Sequence, residues 1–183
     1  DHMSCYGYQR GTTPNIDRFA EDARLYTNAL SPACWTLPTH ASFFTGLPVS
    51  AHGCSWAHPY LDEEFETVAE RLKAAGYQTA GLSSNGFVCA QRGFDQGFEE
   101  FWIPPGEGAA EFAFVSRALG RWGMRQTPAT ADLMHQRLGR WFREQRDPEK
   151  PFFIFLNYIE AHAPYTPQSH LLEWASAGAL DKW

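Results

Sequence analysis

The chain has 183 residues, a formal net charge of −6 and a pI of about 5.6. Apolar residues make up 44% and aromatic residues 15% of it, which excludes a disordered chain and predicts a packed globular domain. The acidic balance argues against a nucleic-acid or anionic-membrane surface. We therefore expect no nucleic-acid partner. No apolar run approaches the ~20 residues of a membrane span, so we expect no membrane segment in this chain.

In chain order, the first predicted elements are a helix, a strand and a second helix. Thr13 and Pro14, followed by apolar residues at helical spacing, predict a capped amphipathic helix. The alternation over residues 24–29 predicts a short strand. The second helix is expected to begin near Thr36 and to end near Gly46.

The later elements alternate between helix and strand. A third helix with apolar positions from Phe65 to Ala75 is expected to end at Gly76, followed by a strand over residues 77–83. Residues 86–127 are rich in Gly and Pro and predict loops with short helical pieces. Next come a long helix from residue 127 to residue 146 and a strand over residues 151–158. We expect that strand to be buried on both faces. This order predicts an α/β fold with a largely parallel central sheet flanked by helices on both faces.

The four cysteines form no C-x-x-C pair and show no zinc-like spacing. Scattered cysteines in a chain of this length favour reduced, buried thiols over a disulfide framework. The compartment stays open: the cytoplasm is slightly favoured, whereas a signal peptide could have preceded Asp1. The cysteines are Cys5, Cys34, Cys54 and Cys89.

Residues 35–46 combine hydroxyls and an imidazole at the start of the second predicted helix. Free backbone N–H groups and the positive end of the helix dipole favour a tetrahedral anion at such a place. The hydroxyl of Thr36 would face that anion, and His40 would lie one turn further along. The alternative is that Thr36 only caps the helix.

The same segment, Thr-Leu-Pro-Thr-His-Ala-Ser-Phe-Phe-Thr-Gly, resembles the sulfatase signature. In that signature Cys or Ser, a variable residue, Pro, Ser and Arg precede Ala-Ser-x-x-Thr-Gly. The nucleophile position falls on Thr36, proline matches Pro38, and His40 stands in place of the arginine. Further segments resemble the family in the same order, namely residues 5–8, 13–17, 51–53, 76–80, 93–98 and 162–165.

The resemblance implies a sulfatase-like hydrolase of the alkaline phosphatase superfamily. It implies that residues 1–183 are part of a single catalytic domain that is cut at both ends, so that its sheet is incomplete. Sulfatases of this family carry a Cys or Ser that is oxidised to formylglycine, and a threonine at position 36 argues against that modification here. The related phosphate-ester enzymes use unmodified Thr or Ser.

Family resemblance also assigns the other site residues. A divalent metal (Ca, Mg, Mn or Zn) would activate Thr36, which we expect to be one metal ligand, with the remaining ligands outside this chain. His162 would contact the anion of the substrate, and Asn85 would donate a neutral hydrogen bond. His40 would orient the nucleophile or the anion, although packing of the helix explains a histidine there almost as well.

The sequence therefore predicts hydrolysis of a sulfate or phosphate ester through Thr36. Two alternatives stay open: a phosphodiesterase or phosphoglycerol-type transferase of the same superfamily, and a non-catalytic binding module that retains the fold. The expected partner is a small-molecule, glycan or lipid substrate with an anionic ester group. We expect the isolated 183-residue piece to be inactive.

Overall fold

The computed structural model of the chain describes residues 2–104 and 130–162. The chain divides into two compact units, one of residues 1–31 with 168–183 and one of residues 32–167. The larger unit contains the predicted site.

In the described part of the smaller unit, a carboxylate in the first turn of the helix accepts hydrogen bonds from two hydroxyls. A 3-10 turn (Ser4–Tyr6) is followed by α1 (Pro14–Glu21), which confirms the first predicted helix with Pro14 at its first position. Ser4 Oγ donates to Asp17 Oδ2 at 2.7 Å, and Thr13 Oγ1 donates to Asp17 Oδ1 at 3.1 Å. The Thr13 hydroxyl thus contacts Asp17, and its side chain makes no capping hydrogen bond.

The prediction of a strand over residues 24–29 is wrong. No strand is present there, and the side chains of Leu25 and Tyr26 are 40% and 63% exposed. Alternating polarity forms a strand only where a neighbouring strand takes up the backbone hydrogen bonds. Within residues 2–104 and 130–162, the strands that pair lie elsewhere.

In the larger unit, three helices come before the first strand. Gly46 has φ +70 and closes the first of them, as predicted, and Gly76 (φ +88) follows the third. The third helix begins later than the sequence indicates, because Thr67 and Glu70 form a reciprocal capping box. The helices are α2 (Thr36–Thr45), α3 (Val49–His52) and α4 (Val68–Ala74).

The strands form one parallel sheet in the order β2-β1-β3. The central strand, β1 (Gln78–Ser83), pairs along its whole length with β3 (Phe152–Asn157). On its other side it pairs with the short β2 (Glu100–Trp102). The predicted α/β class with a parallel sheet is therefore confirmed.

Helices cover opposite faces of β3, because successive side chains of a strand point to opposite sides. Phe155 contacts Phe44 of α2, with ring centroids 4.9 Å apart. Phe152 contacts Trp141 and Phe142 of α5 (Thr130–Glu144). The β3 side chains are only partly buried, however, so the prediction of a strand buried on both faces is wrong for the described residues. No helix in this part of the chain is long and apolar enough to span a bilayer.

Strand β2 lies in a region where the sequence predicts only loops and short helical pieces. A 3-10 turn (Ala90–Arg92) agrees with that prediction, whereas residues 100–102 contradict it. The strand has three residues, and Glu100 is paired with Arg137 of α5 at 2.6 Å. A short strand with a charged residue gives almost no apolar periodicity. The rest of that prediction, residues 105–127, lies outside the described residues. The same holds for residues 127–129, the predicted start of the long helix.

All four cysteines are free, as predicted, but only two of them are buried. Burial raises the pKa of the Cys54 thiol to about 11 and also raises the pKa of Cys89. Cys34 is exposed and Cys5 partly so. We conclude that Cys54 and Cys89 are packing residues with little thiolate character.

A glycine joins the start of α4 to the central strand. The carbonyl of Gly97 accepts a hydrogen bond from Thr79 Oγ1 at 2.8 Å, and its φ is +82. A Cβ added there would lie 2.2 Å from the backbone nitrogen of Glu70. Gly46, by contrast, has a positive φ with no atom within 4 Å of an added Cβ.

We expect Gly97→Ala to destabilise the protein much more than Gly46→Ala. The Gly46 variant should be destabilised only by the cost of a left-handed backbone at an alanine, about 1–2 kcal/mol. The Gly97 variant adds a backbone clash, and its total loss should exceed about 3 kcal/mol. Urea unfolding of both variants measures the difference, and equal losses would contradict the close approach of α4 to residue 97.

Candidate active site

The candidate site lies at the carboxyl ends of β1 and β3. Ser83 and Asn157 are paired in register as the last residues of the two strands. Immediately beyond β1, both the backbone nitrogen and the hydroxyl of Ser84 donate to the carbonyl of Asn157, each at 3.0 Å. In open α/β sheets ligands bind beyond this edge.

His40 connects the first turn of α2 to this edge. Its Nδ1 lies 2.8 Å from the carbonyl oxygen of Thr36, and its Nε2 lies 2.7 Å from Asn157 Nδ2. The rings of Phe43 and Phe155 flank the imidazole edge-on. A single imidazole with both nitrogens engaged therefore links the first turn of α2 to the end of β3.

These partners determine the protonation state of His40. The Thr36 carbonyl can only accept, so Nδ1 carries the hydrogen, and Nε2 accepts from the Asn157 amide. Burial lowers the pKa of His40 below its ordinary value, and the hydrogen bond to the Thr36 carbonyl opposes this only in part. His40 is thus a neutral imidazole, unlike the cationic arginine that it replaces.

Thr36 is the first residue of α2 and is not its cap. Trp35 occupies the N-cap position in extended conformation (φ −149, ψ 165), and its side chain makes no capping hydrogen bond. An indole has no acceptor for the N–H groups of the first turn. The alternative interpretation of Thr36 as a helix cap is therefore wrong. At the positive end of the helix dipole, the N-cap side chain accepts no hydrogen bond from the N–H groups of the first turn.

Asn85 lies just after β1, close to the same edge. Its side chain is buried, with 6% of the residue exposed. Its Oδ1 accepts from the backbone nitrogen of Phe87 at 3.0 Å, and its own backbone nitrogen donates to Ser83 Oγ at 3.2 Å. Asn85 shapes this turn, and its contact with a substrate stays a prediction.

His162 follows β3 on a loop whose start is anchored to α5. The Glu160 carboxylate accepts from the hydroxyl of Thr130 and from the backbone nitrogen of Ala131, the latter at 2.6 Å. The backbone nitrogen of His162 donates to the carbonyl of Ile159 at 2.8 Å, and the side chain is exposed. The closeness of His162 and Thr36 stays a prediction.

A second histidine, His52, supports α2 through a hydrogen bond to Ser42. His52 is 1% exposed; its Nδ1 accepts from the backbone nitrogen of Cys54 at 3.1 Å, and its Nε2 then donates to Ser42 Oγ at 2.9 Å. Burial lowers the pKa of His52, which keeps it neutral. His52 thus ties the segment that follows α2 back to this helix.

Two residues of the site were not predicted from the sequence, Asn157 and Ser84. Asn157 ends the apolar run of β3, and a polar residue at the carboxyl end of an apolar strand was a signal that could have found it. Ser84 gives no comparable signal, since its role depends on the pairing of β1 with β3.

The described residues do not provide a metal site by themselves. No group of three or more His, Cys, Asp or Glu side chains within residues 2–104 and 130–162 is arranged to hold an ion. A hydroxyl such as that of Thr36 cannot hold a divalent ion without further oxygen or nitrogen ligands. The assignment of Thr36 as a metal ligand stays a prediction.

Comparison with known proteins gives one consistent family. The family model named Sulfatase matches residues 1–175. The chain is 27% identical over 168 residues to the N-acetylgalactosamine-6-O-sulfatase of Bacteroides thetaiotaomicron, covering 80% of this chain and 32% of that protein. It is 30% identical over 183 residues to arylsulfatase H of Homo sapiens, covering 84% and 32%.

The fold is also similar to a solved structure. The phosphonate monoester hydrolase of Agrobacterium radiobacter superposes with a TM-score of 0.67 at 21% identity, covering 93% of this chain and 40% of that one. The chain spans about a third of the length of the two sulfatases above.

We expect His40 to titrate below 6.5 in the native protein and above it in Asn157→Asp. In the wild type, protonation of Nε2 removes the acceptor for the Asn157 amide. The contribution of His40 to stability is therefore full above pH 6.5 and is lost as the pH falls through the lowered pKa. An aspartate at this position would pair with the imidazolium and raise its pKa, so that this contribution would be lost as the pH rises.

The pKa of His40 can be measured by NMR of its ring protons in both proteins. Asn157→Ala is the control, because it removes the amide without adding charge. A pKa for His40 that is the same in the wild type and in the Asn157→Asp variant would contradict the hydrogen bond.

Proposed function

The chain belongs to the sulfatase family, and we propose that the whole protein hydrolyses or transfers a sulfate or phosphate ester with the Thr36 hydroxyl as nucleophile. The position of Thr36 carries this proposal. It is the first residue of α2, a helix whose N-cap side chain makes no capping hydrogen bond, and its carbonyl contacts His40, which reaches Asn157 at the carboxyl end of β3. Backbone N–H groups there favour a tetrahedral anion directly at the hydroxyl.

In the proposed reaction, Thr36 Oγ attacks the sulfur or phosphorus atom of the ester. The bond from that atom to the alcohol oxygen breaks, and the alcohol leaves with a proton. The resulting threonine ester is then cleaved by water, or its anionic group passes to an acceptor alcohol. The N–H groups of the first turn would bind the oxygens that gain charge during each step.

We propose a positioning role for His40 rather than one in proton transfer. Both of its nitrogens are engaged, one with the Thr36 carbonyl and the other with Asn157. A base must be within reach of the hydroxyl that it deprotonates, whereas His40 contacts Thr36 through the backbone. It holds the first turn of α2 at the strand ends, so that Thr36 meets the ester in one orientation.

Activation of the hydroxyl needs a further group. A bound divalent ion would lower the pKa of the threonine and polarise the ester oxygen, and we propose that its ligands come from outside the described residues. Formylglycine is not part of this proposal, because threonine would be oxidised to a ketone rather than to an aldehyde.

A phosphoryl transferase is the second candidate within the same proposal. It is favoured by the unmodified threonine and by the neutral side chains beside it, since Ser84 and Asn85 bring no positive charge to the strand ends. Parallel assays with aryl sulfate, aryl phosphate and phosphodiester substrates distinguish these activities. Sulfate-ester turnover with an oxidised residue at position 36 would contradict the mechanism.

We expect Thr36→Ala in the full-length protein to abolish turnover while the fold persists. The side chain makes no capping bond, so the free energy of unfolding should change by less than the roughly 1 kcal/mol of a lost cap. Thr36→Ser is the matched control, since it keeps the hydroxyl and should retain measurable activity. Kinetics and urea unfolding test both; retained turnover in the alanine variant would remove Thr36 from the reaction.

We expect His162→Ala to weaken binding of the anionic group rather than stability. Inhibition by inorganic phosphate or sulfate should weaken about tenfold, the size of a hydrogen bond to a charged group. His135→Ala, another exposed histidine, is the control. If inhibition is the same in both variants, His162 is not part of the site.

A further inference from the structure

Strand β3 has a free edge on the side opposite β1. Within residues 2–104 and 130–162, the sheet has the order β2-β1-β3, and β3 pairs only with β1. A strand at the edge of a sheet presents a row of backbone N–H and C=O groups that no neighbouring strand binds. Such an edge is a template on which a further strand can pair.

The register of the β1–β3 pair identifies the backbone groups on this free edge. The carbonyls of Pro151 and Asn157 accept hydrogen bonds from the β1 side, at 2.9 and 3.0 Å. Alternate residues of a strand bond to the same neighbour, so the odd-numbered residues of β3 face β1. The even-numbered residues carry three donors and three acceptors to the free edge, and they are Phe152, Ile154 and Leu156.

The composition of β3 does not protect an exposed edge. Native proteins protect edge strands by keeping them short, or by placing charges, proline or a bulge on them. β3 is six residues long, contains no charged residue and pairs with β1 in continuous register. At the opposite edge, β2 has three residues, and its Glu100 is paired with Arg137. Of the two edges, that of β3 suits a further strand.

The surroundings of β3 are those of a strand in the interior of a parallel sheet. Phe155 contacts Phe44 of α2 on one face, and Phe152 contacts Trp141 of α5 on the other. Helices on both faces are typical of parallel sheets. Every residue of β3 nevertheless keeps part of its surface in solvent, and Phe152 is 41% exposed. A parallel strand beside β3 would cover this apolar surface.

We propose that the free edge of β3 pairs with a parallel strand from the part of the protein outside residues 1–183. The chain spans about a third of the length of two related sulfatases, and a protein of their size has ample chain for such a strand. A symmetric dimer is the alternative, but it would join two β3 edges antiparallel. Because parallel strands end at the same edge of a sheet, the carboxyl end of the added strand lies beside Asn157 at the candidate site.

Hydrogen exchange at single-residue resolution in the full-length protein tests this pairing. The amides of the odd-numbered residues of β3 are the internal control, because they bond to β1 with or without the added strand. We expect the three even-numbered amides to exchange as slowly as these. Exchange rates that alternate along β3, fast at even and slow at odd positions, would overturn the proposal.

A proline substitution in the full-length protein tests the same edge independently. Ile154→Pro removes one outward N–H group, and a strand tolerates proline only where that group faces solvent. Ile154→Ala is the matched control for the loss of the side chain. We expect the proline variant to unfold at a lower urea concentration than the alanine variant, or to fail to fold. Equal unfolding midpoints would contradict a paired edge.

Two further measurements identify the occupant of the edge. Light scattering counts the chains, and slow exchange at the even-numbered amides that appears only in a dimer would overturn the choice of the protein's own strand. Photo-reactive p-benzoylphenylalanine in place of Phe152 keeps an aromatic ring at the edge, and its cross-links to α5 are the positive control. A cross-link to a peptide outside residues 1–183 supports the proposal, whereas cross-links confined to residues 1–183 overturn it.

Discussion

The parallel pairing of β1 with β3 brings the carboxyl ends of the two strands, and the residues at those ends, to one edge of the sheet. The two strands are hydrogen-bonded over their full length, from Gln78 with Phe152 to Ser83 with Asn157. Their carboxyl ends therefore coincide, and polar residues at these ends lie side by side. His40 then links the start of α2 to Asn157, and Ser84 secures the same residue from the neighbouring strand. If the register shifted by one residue, the side chain at the end of β3 would point to the opposite face and this link would be lost.

The resemblance to the sulfatase signature aligns His40 with an arginine, and the two side chains differ in their chemistry. An arginine at position 40 would bring a permanent charge and a fork of donors to the bound anion. His40 instead uses both nitrogens within the protein, and burial keeps its pKa low. In our proposal the charge of the anion is therefore balanced by the N-terminus of α2 and by groups beyond the described residues.

The turn that leaves β1 is ordered by Asn85. Its Oδ1 accepts from the backbone nitrogen of Phe87 at 3.0 Å, and its own backbone nitrogen donates to Ser83 Oγ at 3.2 Å. These bonds give the buried Asn85 a structural role at the strand edge, where the sequence predicts a substrate contact.

Local sequence patterns were enough to predict the α/β class, the parallel sheet and most element positions. Long apolar runs such as residues 152–157 and glycines such as Gly46 are local signals whose physical cause lies within a few residues. The sequence also identified the family through residues 36–46. The remaining features depend on contacts between distant segments. The alternation at residues 24–29 finds no partner strand, and Glu100 is placed in a strand by its pairing with β1. The link from His40 to Asn157 and the bond from Ser84 to the same residue join segments far apart in the chain, and no local pattern encodes such contacts.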